Sequence, residues 1–461
     1  MTEQSLNISN QEDSMDASRV VTTGTRRMQC VFIAVIAVSA LLFAAHPAQA
    51  GEKVIYNLTT SAWAPEDEFV ADGNGVLYGT AAVGGSGNSG AVFSLTPPGK
   101  GHTTWTETVL YQFRGGSDGS FPTGALTPDG NGGYFGTTAS GGSGSCNIFG
   151  NGAGCGVVFH LTPPGGGQSN WTQTVLYQFQ GSDGAYPFAR LTINSSTGVL
   201  YGTAYAGGSS NAGAVFALTP PSEGQTVWTE SVLYSFTGGA DGGFPGGYVA
   251  ADSSGALYAT TTAGGFTGNG TVFRLTPPFE GQTSWTETVL FSFSGFGSSD
   301  GTAPDAGLIF DPSGNLYGST VAGGFLDYGT IFELSPPSGG QTSWTENAIY
   351  SFGGEKDGAL ANSDLIMDAS GAIYGTTAAG GNTNNGTVFK LTPPGEGQSA
   401  WTEKLLATFN GTDGGYPVSG LLAQKLGKKI VLYGNTFNGG GTSCPGGCGA
   451  AYEITGSGFT F

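Results

Sequence analysis

The sequence predicts an all-β fold: a seven-bladed β-propeller of four-stranded antiparallel blades, its ring closed by pairing of N- and C-terminal strands. The first observation is a repeat. A tetrapeptide core, Leu-Tyr-Gly-Thr or a near variant, recurs with its aromatic at Tyr78, Phe135, Tyr201, Tyr258, Tyr317, Tyr374 and Tyr433, at spacings of 57, 66, 57, 59, 57 and 59 residues. The second is the character of each copy, where short β-branched and aromatic runs alternate with Gly, Pro and Asp turns and no helical period is sustained. The third lies at the ends. The last copy stops at Gly458-Phe-Thr-Phe461 where the others continue through Trp-Thr-Glu, and Val54-Ile-Tyr-Asn-Leu58 ahead of the first copy supplies the missing continuation. Repeats of this length with four strands fit propeller blades, and closure removes the edges through which sheets aggregate.

Residues 308–352 serve as the type repeat. Leu308-Ile-Phe-Asp311 reads as the first strand, Pro-Ser-Gly314 as a turn, Asn-Leu-Tyr-Gly-Ser-Thr320 as the second strand, then a Gly-Gly loop, Gly-Thr-Ile-Phe-Glu-Leu334, Pro336-Pro337, and Trp344-Thr-Glu through Ile349-Tyr-Ser-Phe352. Numbering the copies 1 to 7 from Tyr78 to Tyr433, a Gly-Gly pair begins six residues after each aromatic, from Gly84 to Gly439.

Composition narrows function. The chain has 461 residues with 84 Gly, and 33 acidic against 14 basic residues give a formal net charge of -19. So acidic a surface argues against nucleic acid as a partner. Arg26-Arg27, an apolar run from Val31 to Ala45 and Ala48-Gln49-Ala50 read as a secretory signal peptide, which divides the chain into 1–50, a lead and signal, and 51–461, the propeller. No later stretch is long enough to span a membrane. The protein is therefore expected to be exported, whether extracellular, periplasmic or at the cell surface.

Units of the form Gly-x-Leu-Tyr-Gly-Thr-Thr-x-x-Gly-Gly followed by Gly-Thr-Val-Phe-x-Leu-Thr-Pro resemble the GloVer tandem repeats of bacterial exported "choice-of-anchor" proteins, and all seven copies match at least in part. The resemblance implies export and no particular activity. Members often end in a sorting segment, whereas this chain ends at Phe461 on a strand, which favours release over anchoring.

Blade packing asks the same of every copy, so departures between copies carry the functional signal. The Gly-Gly loop grows by nine residues in copy 2 and by four in copy 7, and these insertions hold Cys146, Cys155, Cys444 and Cys448. An even count in an oxidising compartment points to disulfides, Cys146 with Cys155 and Cys444 with Cys448; metal binding is the alternative, with no histidine beside either pair. Because copy 7 closes against copy 1, the stapled loops are expected to flank the first blade, whose link carries Trp63 where the others carry Asp-Gly. Phe325-Leu-Asp-Tyr328 is a further departure, in the loop of copy 5. Trp63, Phe325 and Tyr328 are thus candidate recognition residues.

The links between copies carry Asp118, Asp183, Asp241, Asp300, Asp357 and Asp413. Such residues commonly accept N–H bonds in their own turn; the alternative is a channel-mouth ring that binds sugar hydroxyls or a hard cation such as Ca²⁺, the one cofactor the sequence suggests. Gly115-x-Ser-x-Gly119 and Gly297-x-Ser-x-Gly301 match a nucleophile pattern but sit in links, not strand-to-helix turns. Glu66, Asp67 and Glu68 form the densest acidic group, read as a solvated face, and are the first choice for carboxylate catalysis. The leading expectation is a non-catalytic binding or adhesion module for an extracellular glycan or protein. The alternatives are a carbohydrate-active or lactone-hydrolysing enzyme and a structural envelope protein.

Overall fold

The computed structural model describes residues 51–146, 154–165 and 170–461; the expected signal peptide lies outside the described residues. Among them, the strands form seven sheets, each of four antiparallel strands. Blade 5 is typical, with Ile309–Phe310, Leu316–Thr320, Thr330–Ser335 and Thr345–Ser351 in spatial order. Blade 7 joins Leu422–Leu426, Lys429–Thr436 and Ala450–Thr455 to Glu52–Asn57 from the other end of the chain. Glu52 lies opposite Ile454 and Asn57 opposite Ala450. The complementary ends close the ring as the sequence predicts.

The recurrent tetrapeptide has a packing cause. Gly318 stands opposite Phe332, and a Cβ there would come within 2.5 Å of the ring. Only a very small residue lets the third strand's phenylalanine lie across the second strand, and blade 4 manages with Ala259 opposite Phe273. The hydroxyl two places after each aromatic clasps the next blade: Thr80 donates to the Gly124 carbonyl at 3.2 Å, Thr203 to Gly247 at 3.0 Å and Thr260 to Ala306 at 3.0 Å. Asn435 does this at the closing seam, its Nδ2 donating to the Asp67 carbonyl at 2.8 Å.

The core is a ring of seams. Fully buried phenylalanines just after the outer strands meet the third-strand ring of the following blade, with centroids 5.2 Å apart for Phe113–Phe159, 5.0 Å for Phe179–Phe216 and 5.2 Å for Phe293–Phe332. Each such ring contributes roughly 2–3 kcal/mol by burial. The tryptophans form a second set of seam contacts. Trp105, Trp228, Trp285, Trp344 and Trp401 each pack on the tetrapeptide aromatic of the preceding blade, at 5.7 to 6.4 Å. Blade 7 has no such tryptophan. Its C-terminal tail turns back instead, setting Phe459 5.1 Å from Tyr374 of blade 6, while the Thr460 carbonyl accepts from Ala369 N at 2.9 Å.

Candidate functional site

Each link reaches the channel through one irregular residue. Ala64, Phe121, Tyr186, Phe244, Ala303, Leu360 and Tyr416 have φ between 53° and 59°, the left-handed region, and all but Leu360 precede a proline. The conformation costs about 1–2 kcal/mol in a non-glycine residue. Two backbone bonds hold it in each blade. Phe244 N donates to Ala212 O of the preceding blade at 2.7 Å, and Phe244 O accepts from Thr262 N of its own blade at 3.1 Å. The next four residues then run along the axis before the innermost strand.

The third residue after this proline position differs from blade to blade: Glu68, Ala125, Arg190, Tyr248, Gly307, Asp364 and Gly420. Four of these side chains converge across the channel. Arg190 Nη1 lies 3.4 Å from Glu68 Oε1 and its Nε 3.9 Å from Asp364 Oδ2, while its guanidinium carbon sits 3.8 Å above the Tyr248 ring. Oxygens of Asp67, Glu68 and Asp364 all lie within 4.8 Å of one another. Small neighbours make the room. A Cβ on Gly420 would meet Glu68 Oε2 at 2.6 Å, and one on Gly307 would strike the Tyr248 ring at 2.0 Å. The Tyr248 hydroxyl donates to Leu308 O at 3.0 Å, Gly307 N to Asp364 Oδ1 at 2.7 Å and Ala125 N to Asp67 Oδ2 at 2.7 Å.

This layer is a clamp joining blades 1, 3, 4 and 6. Glu68 and Asp364 keep only 14% and 15% of their side-chain surface accessible. Burial pushes the Asp67, Glu68 and Asp364 carboxyls up to about 7; mutual repulsion adds to this, and Arg190 opposes it. Burial alone would loosen the Arg190 proton, but the carboxylates around it hold it on, so its pKa is raised. Among the described residues, these three carboxyls are the set close enough to hold a metal ion, yet the guanidinium already supplies a cation among them.

The first residue after the proline position makes a second, different layer, with Glu66 in blade 1, Asp305 in blade 5 and Asn362 in blade 6. Glu66 and Asp305 have no hydrogen-bond or ion-pair partner among the described residues, and burial raises them to about 7 and about 6. Asn362 Oδ1 is buried and likewise unpartnered. Asp305 lies flat on Gly246, whose added Cβ would stand 1.8 Å from Oδ1. An aromatic wall borders this layer on blades 3 and 4, with Phe188–Tyr205 and Tyr205–Phe244 each 5.4 Å apart. Burial and the Asp305 charge push Tyr205 up to about 12.

The link aspartates sit elsewhere, at the seams. Asp118 accepts from the Tyr111 hydroxyl at 2.5 Å and Arg114 N at 2.8 Å, Asp183 from Tyr177 at 2.5 Å and Gln180 N at 2.8 Å, and Asp241 from Tyr234 and Thr237 N. Asp300 takes Ser294 N, Asp357 takes Tyr350 and Gly353 N, and Asp413 takes Asn410 N. Among the described residues, no three of them come within metal-ligating distance. Disulfides join Cys146 to Cys155 and Cys444 to Cys448, as expected. Only one staple flanks the first blade: Cys448 O accepts from Ala64 N, and Trp63 packs half-buried against that cluster. The other leans on blade 3, where Cys155 O accepts from Tyr186 N, because each Gly-Gly loop abuts the link leaving its own blade. Phe325 and Tyr328 are exposed on the blade 5 loop.

Arg190, Tyr248, Asp305, Asn362 and Asp364 are absent from the sequence-level candidates. When the seven copies are set in register on the link proline, Arg190, Tyr248 and Asp364 depart from a position held by Ala or Gly in three other blades, whereas Asp305 and Asn362 fall at a position that differs in every blade.

Solved structures with similar folds include virginiamycin B lyase from Staphylococcus aureus (13% identity, 87% of this chain and 98% of that one, TM-score 0.48). A protein of unknown function from Dyadobacter fermentans follows at 15% identity, 88% and 98% coverage and TM-score 0.44. A Trichoderma reesei carbohydrate-active enzyme of family AA12 gives 12%, 90%, 99% and 0.43 respectively. Likeness at this level transfers no activity, and no functionally curated protein matches the chain. The Gloeobacter/Verrucomicrobia repeat, by contrast, matches residues 37–248 and 227–452, and the chain belongs to that family.

Proposed function

We propose that the protein is an exported recognition propeller that binds an extracellular glycan in its channel without transforming it. The supporting observation is the contrast between the two layers of side chains. In the clamp every carboxyl has a charged or hydrogen-bonding neighbour, whereas Glu66, Asp305 and the Asn362 carbonyl oxygen, on three different blades, have none. Asn362 Oδ1 is fully buried, and a buried polar atom without a partner costs about 1–3 kcal/mol, which a ligand that donates hydrogen bonds recovers. Sugar hydroxyls donate in this way, and the Phe188–Tyr205–Phe244 wall offers ring faces for their apolar sides. Two disulfides fit a protein that works outside the cytoplasm.

The test is the melting temperature of the purified protein against a panel of neutral and acidic oligosaccharides, with Ca²⁺ or a chelator. A ligand at 100 times its Kd stabilises by about 2.7 kcal/mol. The shift should be lost in Glu66→Gln/Asp305→Asn. No shift with any sugar in the panel would sink the reading, and a shift with Ca²⁺ alone would reassign the layer to a cation. Carboxyls raised to about 7 and about 6 also suit a general acid. That second reading requires the stabilising glycan to be cleaved by the wild type and spared by Glu66→Gln or Asp305→Asn.

A further inference from the structure

The residue after each Gly-Gly pair is Ser86, Ser143, Ser209, Asn382 or Gly441 in five blades and phenylalanine in the two adjacent blades 4 and 5. Phe266 and Phe325 at these positions are 93% and 86% exposed. Packing explains neither, since five blades fold without the ring and the rings touch so little. Phe296, 60% exposed, stands in the link between the two loops, and Gly297 N donates to Asp327 Oδ1 at 3.2 Å, tying that link to the blade 5 loop. The Phe266 loop is tied to the other side of the same link, with Asn269 Nδ2 donating to Ser294 O at 3.0 Å. Three exposed rings are thus carried by two adjacent blades and the link between them, on loops that hydrogen bonds tie together.

The loop that carries Phe325 also carries Tyr328, which lines a groove of about 700 Å³ between the blade 5 and blade 6 loops. Tyr328 forms one wall, its ring lying on Gly354 where a Cβ would stand 2.6 Å away. Asn382 and Asn384 form the other, and Glu355 and Lys356 stand side by side at the rim, all four exposed. The volume is that of a small-ligand site. Its one acidic and one basic rim residue cancel, so it offers no net attraction to an ion, and a chain of formal charge -19 repels polyanions. Flat aromatic faces beside amides and a hydroxyl match an uncharged sugar chain, which presents C–H faces and hydroxyl edges in alternation.

We infer that Phe266, Phe296, Phe325 and Tyr328 form a rim subsite that holds a neutral polysaccharide strand; this extends the glycan-binding reading above and rests on it. The experiment is retention of the purified protein on amorphous cellulose, insoluble β-1,3-glucan and insoluble mannan, for the wild type, Phe266→Ser/Phe325→Ser and Glu66→Gln/Asp305→Asn. Serine already occupies the equivalent place in three blades, so the first variant should melt as the wild type does. The inference expects retention on at least one polymer to fall tenfold or more in the Phe266→Ser/Phe325→Ser variant. Wild-type retention in that variant overturns the subsite and leaves the channel reading to its own assay with soluble sugars. No wild-type retention on any of the three polymers overturns the subsite too. Sedimentation velocity covers the remaining occupant: if the wild type is a dimer and the Phe266→Ser/Phe325→Ser variant a monomer, a second copy covers the rings and the glycan assignment falls.

Discussion

At the scale of single residues, the molecule turns on Arg190. One guanidinium reaches carboxyls of blades 1 and 6 while resting on a tyrosine of blade 4, so removing it leaves three crowded carboxyls in an enclosed space without their cation. Breaking a buried pair in this way costs about 3–5 kcal/mol when the surviving charges stay ionised. Arg190→Leu should therefore lose about 3 kcal/mol at pH 8. Its loss should be clearly smaller at pH 5, where carboxyls raised to about 7 take up protons. Urea denaturation at the two pH values checks this, and equal losses would mean that the clamp is not electrostatic. Glu66 to Glu68 were legible in the sequence as an acidic group but not as an interior one. What turns them inward is the left-handed Ala64 before Pro65, a conformation that no residue at position 64 announces.

At the scale of elements, the tail after the last strand does the work of a missing tryptophan. Phe459 is 7% exposed and packs on Tyr374 as Trp105 packs on Tyr433. Phe459→Ala should cost about 3 kcal/mol, near the lower end for a buried ring, and Trp105→Ala a comparable amount. Thermal unfolding of both variants tests the equivalence, which fails if Phe459→Ala leaves the melting temperature within a degree of the wild type. The two staples close short loops, of separation 9 and 4, for which chain entropy gives about 2–3 kcal/mol each. Reduction should lower the melting temperature while leaving far-ultraviolet dichroism at room temperature unchanged. Loss of β signal on reduction would show that the loops hold the blades together. The cysteine pairing was readable because each pair shares one insertion. The partner blade of each staple was not, since it depends on which neighbour a Gly-Gly loop leans toward.

For the whole molecule, the seams add a repeated titration. The glutamates of the Trp-Thr-Glu units in blades 3 to 6, together with their equivalent Glu52 in the closing strand, lie beside the link aspartate that enters their blade, whereas Glu107 of blade 1 meets Ser61 there. Burial, with that aspartate's charge, pushes Glu52, Glu230, Glu287 and Glu403 up to about 7 and Glu346 to about 8. Each has at least one buried side-chain oxygen without a partner, a burial that the neutral carboxyl tolerates better than the charged one. Carboxyls raised in the folded state bind more protons there than in the unfolded chain, whose glutamates titrate near 4.3. Stability must then fall as pH rises from about 4 through about 7 to 8 and recover on acidification. The melting temperature should accordingly be several degrees higher at pH 5 than at pH 8. A flat or opposite profile would mean that the seam glutamates are ionised and held by something else, such as cations, which a chelator would reveal.

The seven copies, the strand order within a blade, the closure by the two termini and the cysteine pairing are all written in the primary structure. These follow from short-range rules, namely period-two apolar patterning, turn residues at fixed offsets and the same packing demand repeated seven times. Tertiary structure decided the candidate site. Glu68, Arg190, Tyr248 and Asp364 come from four blades and are up to 296 positions apart, and their meeting depends on the ring radius and on Gly307 and Gly420 leaving space. The link aspartates show the converse: their regular spacing suggested a ring, but hydrogen bonds within their own turns keep each at its seam. Local pattern reports which strand a residue occupies, whereas only the closed ring sets which side chains face one another across its axis.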